Sequence, residues 1–153
     1  MSKLRIGDII EIPTAKGLAY AQYTHEDPAY GQLIRVFEKT FQSRPADLGD
    51  LVYFPVQFSV FFPLRAAVRR SIFKITTNRE IAPKNREFPV FRGGLIDPNT
   101  NKVATWWFYD GKKEWKVGQI TEEQRKLPQL ETINDSQLIE NIESGWRSEN
   151  DPW

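Results

Sequence analysis

An Asp-Gly dipeptide between two runs of strand-forming residues constrains the fold of this chain more than any other feature. In the stretch VATWWFYDGKKEWKV, residues 103–117, Asp110 and Gly111 separate an aromatic run from a shorter one. Asp-Gly favours a two-residue type I′ turn, because both central residues of that turn take positive φ. The sequence therefore predicts a β-hairpin in which Trp106 lies opposite Trp115.

The two faces of this hairpin differ in character, because successive side chains of a strand point to opposite sides. One face is apolar and is expected to pack in the core; it carries Ala104, Trp106, Phe108, Trp115 and Val117. The other face places Trp107 and Tyr109 among charged residues, as in many protein interfaces. We therefore predict Trp107 and Tyr109 as partner-binding residues. Two alternatives stay open: another element covers them, or a three-residue turn exchanges the faces.

The first third of the chain predicts an antiparallel meander. Alternating apolar residues follow Asp8, a Lys-Gly turn at Gly17 leads into the strand-like run 18–23, and a third run begins at Gly31. The polar segment 25–30 between the second and third runs is predicted to be a loop. For the later segments the sequence predicts a buried strand within 54–62, a strand rather than a short helix at 66–75, and a surface connection at 80–92.

A helix is predicted near the C-terminus, over NDSQLIENIESGW at residues 134–146. Asn134 or Asp135 can cap its start, and Gly145 is well placed to end it. Its apolar stripe consists of residues spaced i, i+1 and i+4, namely Leu138, Ile139 and Ile142. A short helix is also expected after Thr121, and the tail from residue 147 is expected to fray.

These elements together predict a mainly antiparallel α+β fold, either an SH3-like meander or a partly open barrel, with a C-terminal helix. The length of 153 residues suits one domain, residues 1–153. No apolar run reaches the roughly 20 residues of a membrane helix, and the N-terminus does not resemble a signal peptide. The chain contains no cysteine, which fits a reducing compartment. We predict a soluble, cytoplasmic protein that does not contact the membrane.

Catalytic motifs are not evident in the sequence. There is one histidine, His25, beside two carboxylates, and neither a nucleophile motif nor a phosphate-binding loop appears. A metal or acid–base site at His25 would need ligands from elsewhere in the fold. We predict that the protein is not an enzyme and uses no metal or cofactor.

Charge is unevenly distributed although the net charge is only +1. Residues 65–92 hold eight basic and two acidic residues, a local charge of +6, whereas residues 121–151 hold three basic and eight acidic residues, a local charge of −5. Either segment can be an ordinary solvated face, or the two can partly neutralise each other. The acids Asp135, Glu140 and Glu143, in or next to the predicted helix, are candidate partner-binding residues.

Several motifs across the chain resemble the immunity protein 26 family of bacterial polymorphic toxin systems. They are IGDIIEIP at the start, GLAYAQY, WWFYDG, WKVG, and LPQ followed by a helix and GW. This resemblance implies an α+β protein that neutralises a cognate toxin by binding it in the cytoplasm, without a catalytic residue. Such toxins are often nucleases with basic clefts, which the acidic segment 121–151 could complement.

A nucleic-acid-binding module is the alternative. In that case the basic stretch 65–92 would contact phosphates, and Trp107 or Tyr109 would stack on bases. A basic run without interleaved aromatics is usually a solvated face, so nucleic acid is the less favoured partner.

Overall fold

The computed structural model describes residues 3–152, which form eight strands, two α-helices and four short 3₁₀ helices. The strands are β1 (Asp8–Thr14), β2 (Gly17–Asp27), β3 (Gly31–Phe37), β4 (Val56–Phe61), β5 (Lys74–Asn78), β6 (Phe91–Asp97), β7 (Lys102–Tyr109) and β8 (Glu114–Gly118). The α-helices are α1 (Leu64–Arg69) and α2 (Asp135–Ser144). The 3₁₀ helices span Leu48–Tyr53, Pro83–Asn85, Gln124–Lys126 and Ser148–Asn150. No helix within residues 3–152 is long and apolar enough to cross a bilayer.

The first sheet confirms the predicted meander. Its strand order is β4-β3-β2-β1-β5, and every neighbouring pair is antiparallel. The turn between β1 and β2 depends on Gly17, whose φ is +124° and whose position for a Cβ lies 2.6 Å from the carbonyl oxygen of Phe41. A side chain at this position would collide with the backbone, so glycine is required there.

The predicted loop at residues 25–30 is wrong over its first half, because β2 continues to Asp27. A register shift between Tyr23 and His25 marks a β-bulge, which lets the strand bend without ending. The turn itself follows Asp27, whose carboxylate accepts hydrogen bonds from the backbone N–H groups of Ala29 and Tyr30.

Both faces of the first sheet are covered. On one face, Ile10 and Ile12 belong to the main core, which also contains Leu138 and Ile142 of α2. The opposite face is covered in part by the 3₁₀ helix Leu48–Tyr53. Helix α2 confirms the sequence prediction: Asn134 caps it by accepting from the N–H of Gln137 at 2.8 Å, and Gly145 ends it in the left-handed conformation.

Three segments differ from the sequence predictions. The first, 66–75, contributes the end of α1 and the start of β5, because residues 64, 67 and 68 form one apolar helical stripe against the main core. The second, 80–92, is more than a surface connection, since Ala82, Asn85 and Phe91 are buried. The third, the tail from 147, is anchored through the buried Ser148, whose hydroxyl bonds to the carbonyl of Leu127.

The second sheet has the order β6-β7-β8. The extended segment 129–134 connects the two sheets through two parallel bridges: Gln129 pairs with Arg92 of β6, and Thr132 pairs with Phe61 of β4. Leu33, Phe61 and Phe91 share a small aromatic core where the two sheets meet. The fold is therefore α+β and mainly antiparallel. Because both sheets are open, it is not a closed barrel.

The aromatic hairpin forms as predicted, but with a four-residue turn. Asp110 accepts hydrogen bonds from the backbone N–H groups of Lys112 and Lys113, which stabilises the longer turn. Phe108 therefore pairs with Trp115, and the expected pairing of Trp106 with Trp115 is wrong by two positions. Because a shift of two preserves the alternation of side chains, the faces stay as predicted.

The predicted apolar face is buried only at its centre. Trp106 and Phe108 are 5% and 7% exposed, respectively. Ala104 is exposed, in contrast to its expected place in the core, and Trp115 and Val117 are half-buried. Trp115 packs edge-on against Phe108, with ring centroids 6.0 Å apart.

Candidate functional site

A cleft with a volume of about 620 Å³ lies beside helix α2. Its walls are α2, the extended segment 129–134 and the tail at 150–152. The segment 129–134 is held in place by its bridges to both sheets, and the tail by Ser148. The two sheets, α2 and the tail thus fix the walls of the cleft relative to one another.

Three carboxylates line this cleft: Glu131, Glu140 and Asp151. Glu131 and Glu140 form no salt bridge within the described part of the chain. Glu131 is exposed, although neighbouring protein atoms displace part of the water around its carboxyl group. This loss of hydration is the largest cause that raises the pKa of Glu131, and repulsion from Asp151 is the second. The attraction of Arg92 acts in the opposite direction and is smaller. A cationic group entering the cleft would relieve this repulsion.

Half of the remaining lining residues carry amide side chains, which can bind backbone or polar groups of a ligand. Asn141 is already engaged, since its Oδ1 accepts from Gln137 Nε2 at 2.8 Å. The Nε2 of Gln129 is buried and has no hydrogen-bond partner in the described residues. Ile133 and Trp146 add apolar surface to the same cleft. The cleft is therefore suited to a polar, cationic protein surface that also carries some apolar groups.

Of the three acids predicted from the sequence, the structure brings one into this cleft. Glu140 lines it, whereas Glu143 points to the β1–β2 turn and accepts a hydrogen bond from the N–H of Ala15 at 2.6 Å. Asp135 is half-buried in the first turn of α2, where a negative charge is favourable. Glu131 and Asp151 were not singled out from the sequence, although both belong to its acidic segment.

Trp107 lies on a different surface, on the face of the second sheet opposite to Trp106. It is 39% exposed. By strand alternation it shares its face with Leu95, which is 79% exposed. Glu131 lines a smaller cavity with Trp106, so the acidic cleft lies towards the Trp106 side of the sheet. The partner-binding role of Trp107 stays a prediction, on a surface separate from the acidic cleft.

Tyr109 is half-buried where the two sheets meet. Its hydroxyl donates a hydrogen bond to Asp27 Oδ1 at 2.6 Å, and its ring contacts Tyr30 edge-on at 5.3 Å. Burial and the bond to the Asp27 carboxylate raise the pKa of Tyr109. This geometry gives Tyr109 a structural role, and its contact with a partner stays a prediction.

Replacing Tyr109 with Phe tests the structural role directly. The change removes the hydrogen bond to the Asp27 carboxylate and should lower the free energy of unfolding by about 1.5–3 kcal/mol, as expected for a bond to a charged group. Urea denaturation measures this difference. Tyr53→Phe is the matched control, because Tyr53 is exposed, and it should leave stability unchanged. Equal stabilities of the two variants would contradict the structural role of Tyr109.

His25 is part of strand β2, and its ring is held between a hydroxyl and a backbone carbonyl. Its ring nitrogens lie 3.0 Å from Thr24 Oγ1 and 2.8 Å from the carbonyl oxygen of Arg86. Burial lowers the pKa of His25, so the ring is less readily protonated. Nowhere in residues 3–152 do three or more His, Cys, Asp or Glu side chains form a group that could hold a metal ion.

The basic stretch 65–92 is distributed over several elements. Arg65 pairs with Glu26 at 3.3 Å, and Arg92 is fully buried with its guanidinium 4.7 Å from the Trp106 ring centroid. Arg69 and Arg70, at the end of α1, are exposed. The stretch therefore does not place all of its charges on one surface.

Comparison with known proteins adds no relative to this description. No protein-family model matches the sequence, and searches of curated proteins and of solved structures found no significant match.

Proposed function

We propose that this chain is a non-catalytic immunity protein that binds and neutralises a cognate bacterial toxin in the cytoplasm. The observation that supports this most is the acidic cleft beside α2, where Glu131 and Glu140 have no ion-pair partner among the described residues. The bound surface of the toxin is basic, as in a nuclease whose substrate cleft is blocked by the immunity protein.

Physical chemistry favours a cationic protein as the occupant of the cleft. Carboxylates that lose hydration and repel one another are stabilised by an opposite charge. An acidic patch also accelerates encounter with a basic partner, because the electrostatic attraction acts over about 10 Å at moderate salt. A cation near Glu131 would lower its raised pKa and so favour its charged form.

Nucleic acid is less well supported as the partner. The cleft would repel phosphate groups, and Arg92 is buried and cannot reach them. Trp107 is exposed, but the basic side chains of residues 65–92 are divided among α1, β5, a 3₁₀ helix and β6. A protein partner accounts better for the acidic cleft.

Co-expression with the candidate toxin tests this function. The C-terminal domain of a toxin encoded immediately upstream should arrest bacterial growth when expressed alone, and this chain should restore growth. The variant His25→Ala should protect as well as the parent, because no catalysis is required. Failure of the parent to protect, or loss of protection in a folded His25→Ala variant, would contradict the proposal.

A further inference from the structure

Arg35, in strand β3, is a buried cation without a carboxylate partner among residues 3–152. It is 8% exposed and belongs to none of the salt bridges of the described residues. Its NH1 group donates to Ser59 Oγ at 3.4 Å, and its NH2 group donates to the carbonyl of Glu87 at 2.9 Å. Its Nε has no hydrogen-bond partner. A buried charge with only neutral acceptors is costly, so an anion nearby would stabilise it.

A cleft beside Arg35 offers room for such an anion. It has a volume of about 200 Å³ and lies along strand β4, which forms the edge of the first sheet. Arg35, Lys126 and Arg147 line it, together with one acid, Glu149. The cleft is separate from the acidic one, although Trp146 contributes to the walls of both.

The other two cations already have partners. Lys126 pairs with Glu123 at 3.0 Å, outside the cleft. Arg147 pairs with Glu38 at 2.9 Å and also donates to the carbonyls of Val56 and Gln57 in the cleft wall. These pairs are partly or largely exposed, so water and salt screen them. Lys126 can turn towards an anion in the cleft at little cost, since surface pairs of this kind stabilise a fold only weakly.

We propose that this cleft is a binding site for a phosphate group, held by the guanidinium of Arg35 with Lys126 and Arg147. Three cations against one acid favour a doubly charged anion over a singly charged carboxylate. The guanidinium of Arg35 and the hydroxyl of Ser59, two residues that line the cleft, would donate directional hydrogen bonds to the phosphate oxygens. Burial lowers the pKa of Arg35 to about 10, which still leaves the side chain charged at neutral pH.

The phosphate site is independent of the proposed toxin binding, since it uses different charged residues on a different surface. The phosphate group can be a free inorganic ion or the terminal group of a larger molecule such as a nucleotide. Both sources share the same chemistry and differ in how much of the ligand extends out of the cleft. Titration with inorganic phosphate and with adenosine monophosphate separates them, because contacts outside the cleft would make the nucleotide bind more tightly.

Thermal unfolding of the full chain tests the phosphate site. With a Kd of about 1 mM, about 20 mM phosphate should raise the Tm by roughly 4–7 °C relative to chloride at equal ionic strength. Acetate at the same ionic strength should have a much smaller effect. Isothermal titration with inorganic phosphate gives the Kd directly. If phosphate and chloride give the same Tm, the proposal is wrong.

Matched variants distinguish a bound phosphate from the general stabilisation that phosphate salts give to many proteins. Arg35→Met and Lys126→Gln should each weaken phosphate binding roughly tenfold, the size expected for a hydrogen bond to a charged group. Lys112→Gln is the control, because Lys112 is exposed in the hairpin turn. If Arg35→Met does not fold, Lys126→Gln carries the test. Equal phosphate effects in parent, control and folded site variants would overturn the proposal.

Discussion

Replacing Trp106 with Ala should lower the free energy of unfolding by about 3–5 kcal/mol and leave little folded protein at growth temperature. Trp106 is 5% exposed, and its ring lies over the guanidinium of Arg92 at 4.7 Å. Removing the ring would create a cavity and would also uncover Arg92, which is fully buried. The loss of this cation–π contact adds to the loss of packing.

Trp107→Ala is the matched comparison, since it removes the same side chain one position further along the strand. Trp107 is 39% exposed, so its removal should cost about 1 kcal/mol or less. Urea denaturation of both variants measures the difference. A larger loss in Trp107→Ala than in Trp106→Ala would contradict the assignment of the two hairpin faces. Reduced toxin binding by a stable Trp107→Ala variant would place Trp107 in the interface.

The assignment of these faces was predictable from the sequence because it depends on strand alternation and on a turn with an even number of residues. The hairpin itself was predictable from Asp110 and Gly111, but the length of its turn was not. Asp110 binds two backbone N–H groups with its side chain, and this local bonding favours four turn residues over two. The register moved by two positions, so the error did not affect the faces.

Features that depend on distant contacts could not be predicted in this way. Burial of Ser148 and Arg92 results from hydrogen bonds between the tail and strand β6. The local sequence of neither segment indicates this burial, since a tail rich in polar residues and an arginine in a basic stretch are usually exposed. Helix α1 was missed because its single apolar stripe is short and is followed at once by a strand.

The candidate site was predictable only in its charge. The acidic segment indicated a negative surface, and Glu140 lines the acidic cleft as part of that surface. Glu143 lies on the same helix but is turned towards Ala15, because the side on which α2 packs is decided by the tertiary fold. Glu131 lies in the cleft because its segment forms bridges with β4 and β6, and these are likewise long-range contacts.

Reversing the two unpaired charges of the acidic cleft should have the largest effect on function. The double variant Glu131→Lys with Glu140→Lys should weaken toxin binding by about 100-fold or more, because like charges brought together at an interface cost several kcal/mol. The fold should persist, since neither residue forms a salt bridge in the described part of the chain. Loss of growth protection should accompany the loss of affinity.

A charge-matched control separates this effect from a change in net charge. Glu122→Lys with Glu123→Lys alters the total charge equally, at exposed positions outside the cleft. Glu123 pairs only with the exposed Lys126, so its replacement should be tolerated. This control should retain affinity within about threefold, as expected for charges at the rim of an interface or beyond it.

The most direct test of the acidic cleft as the toxin-binding site is the Kd of the purified toxin domain for the parent and both double variants. Isothermal titration at low and at physiological ionic strength provides these values. We predict tight binding by the parent and the control, weakened by salt, and a loss of about 100-fold in Glu131→Lys with Glu140→Lys. Equal affinities of all three proteins would show that the toxin does not bind at the acidic cleft.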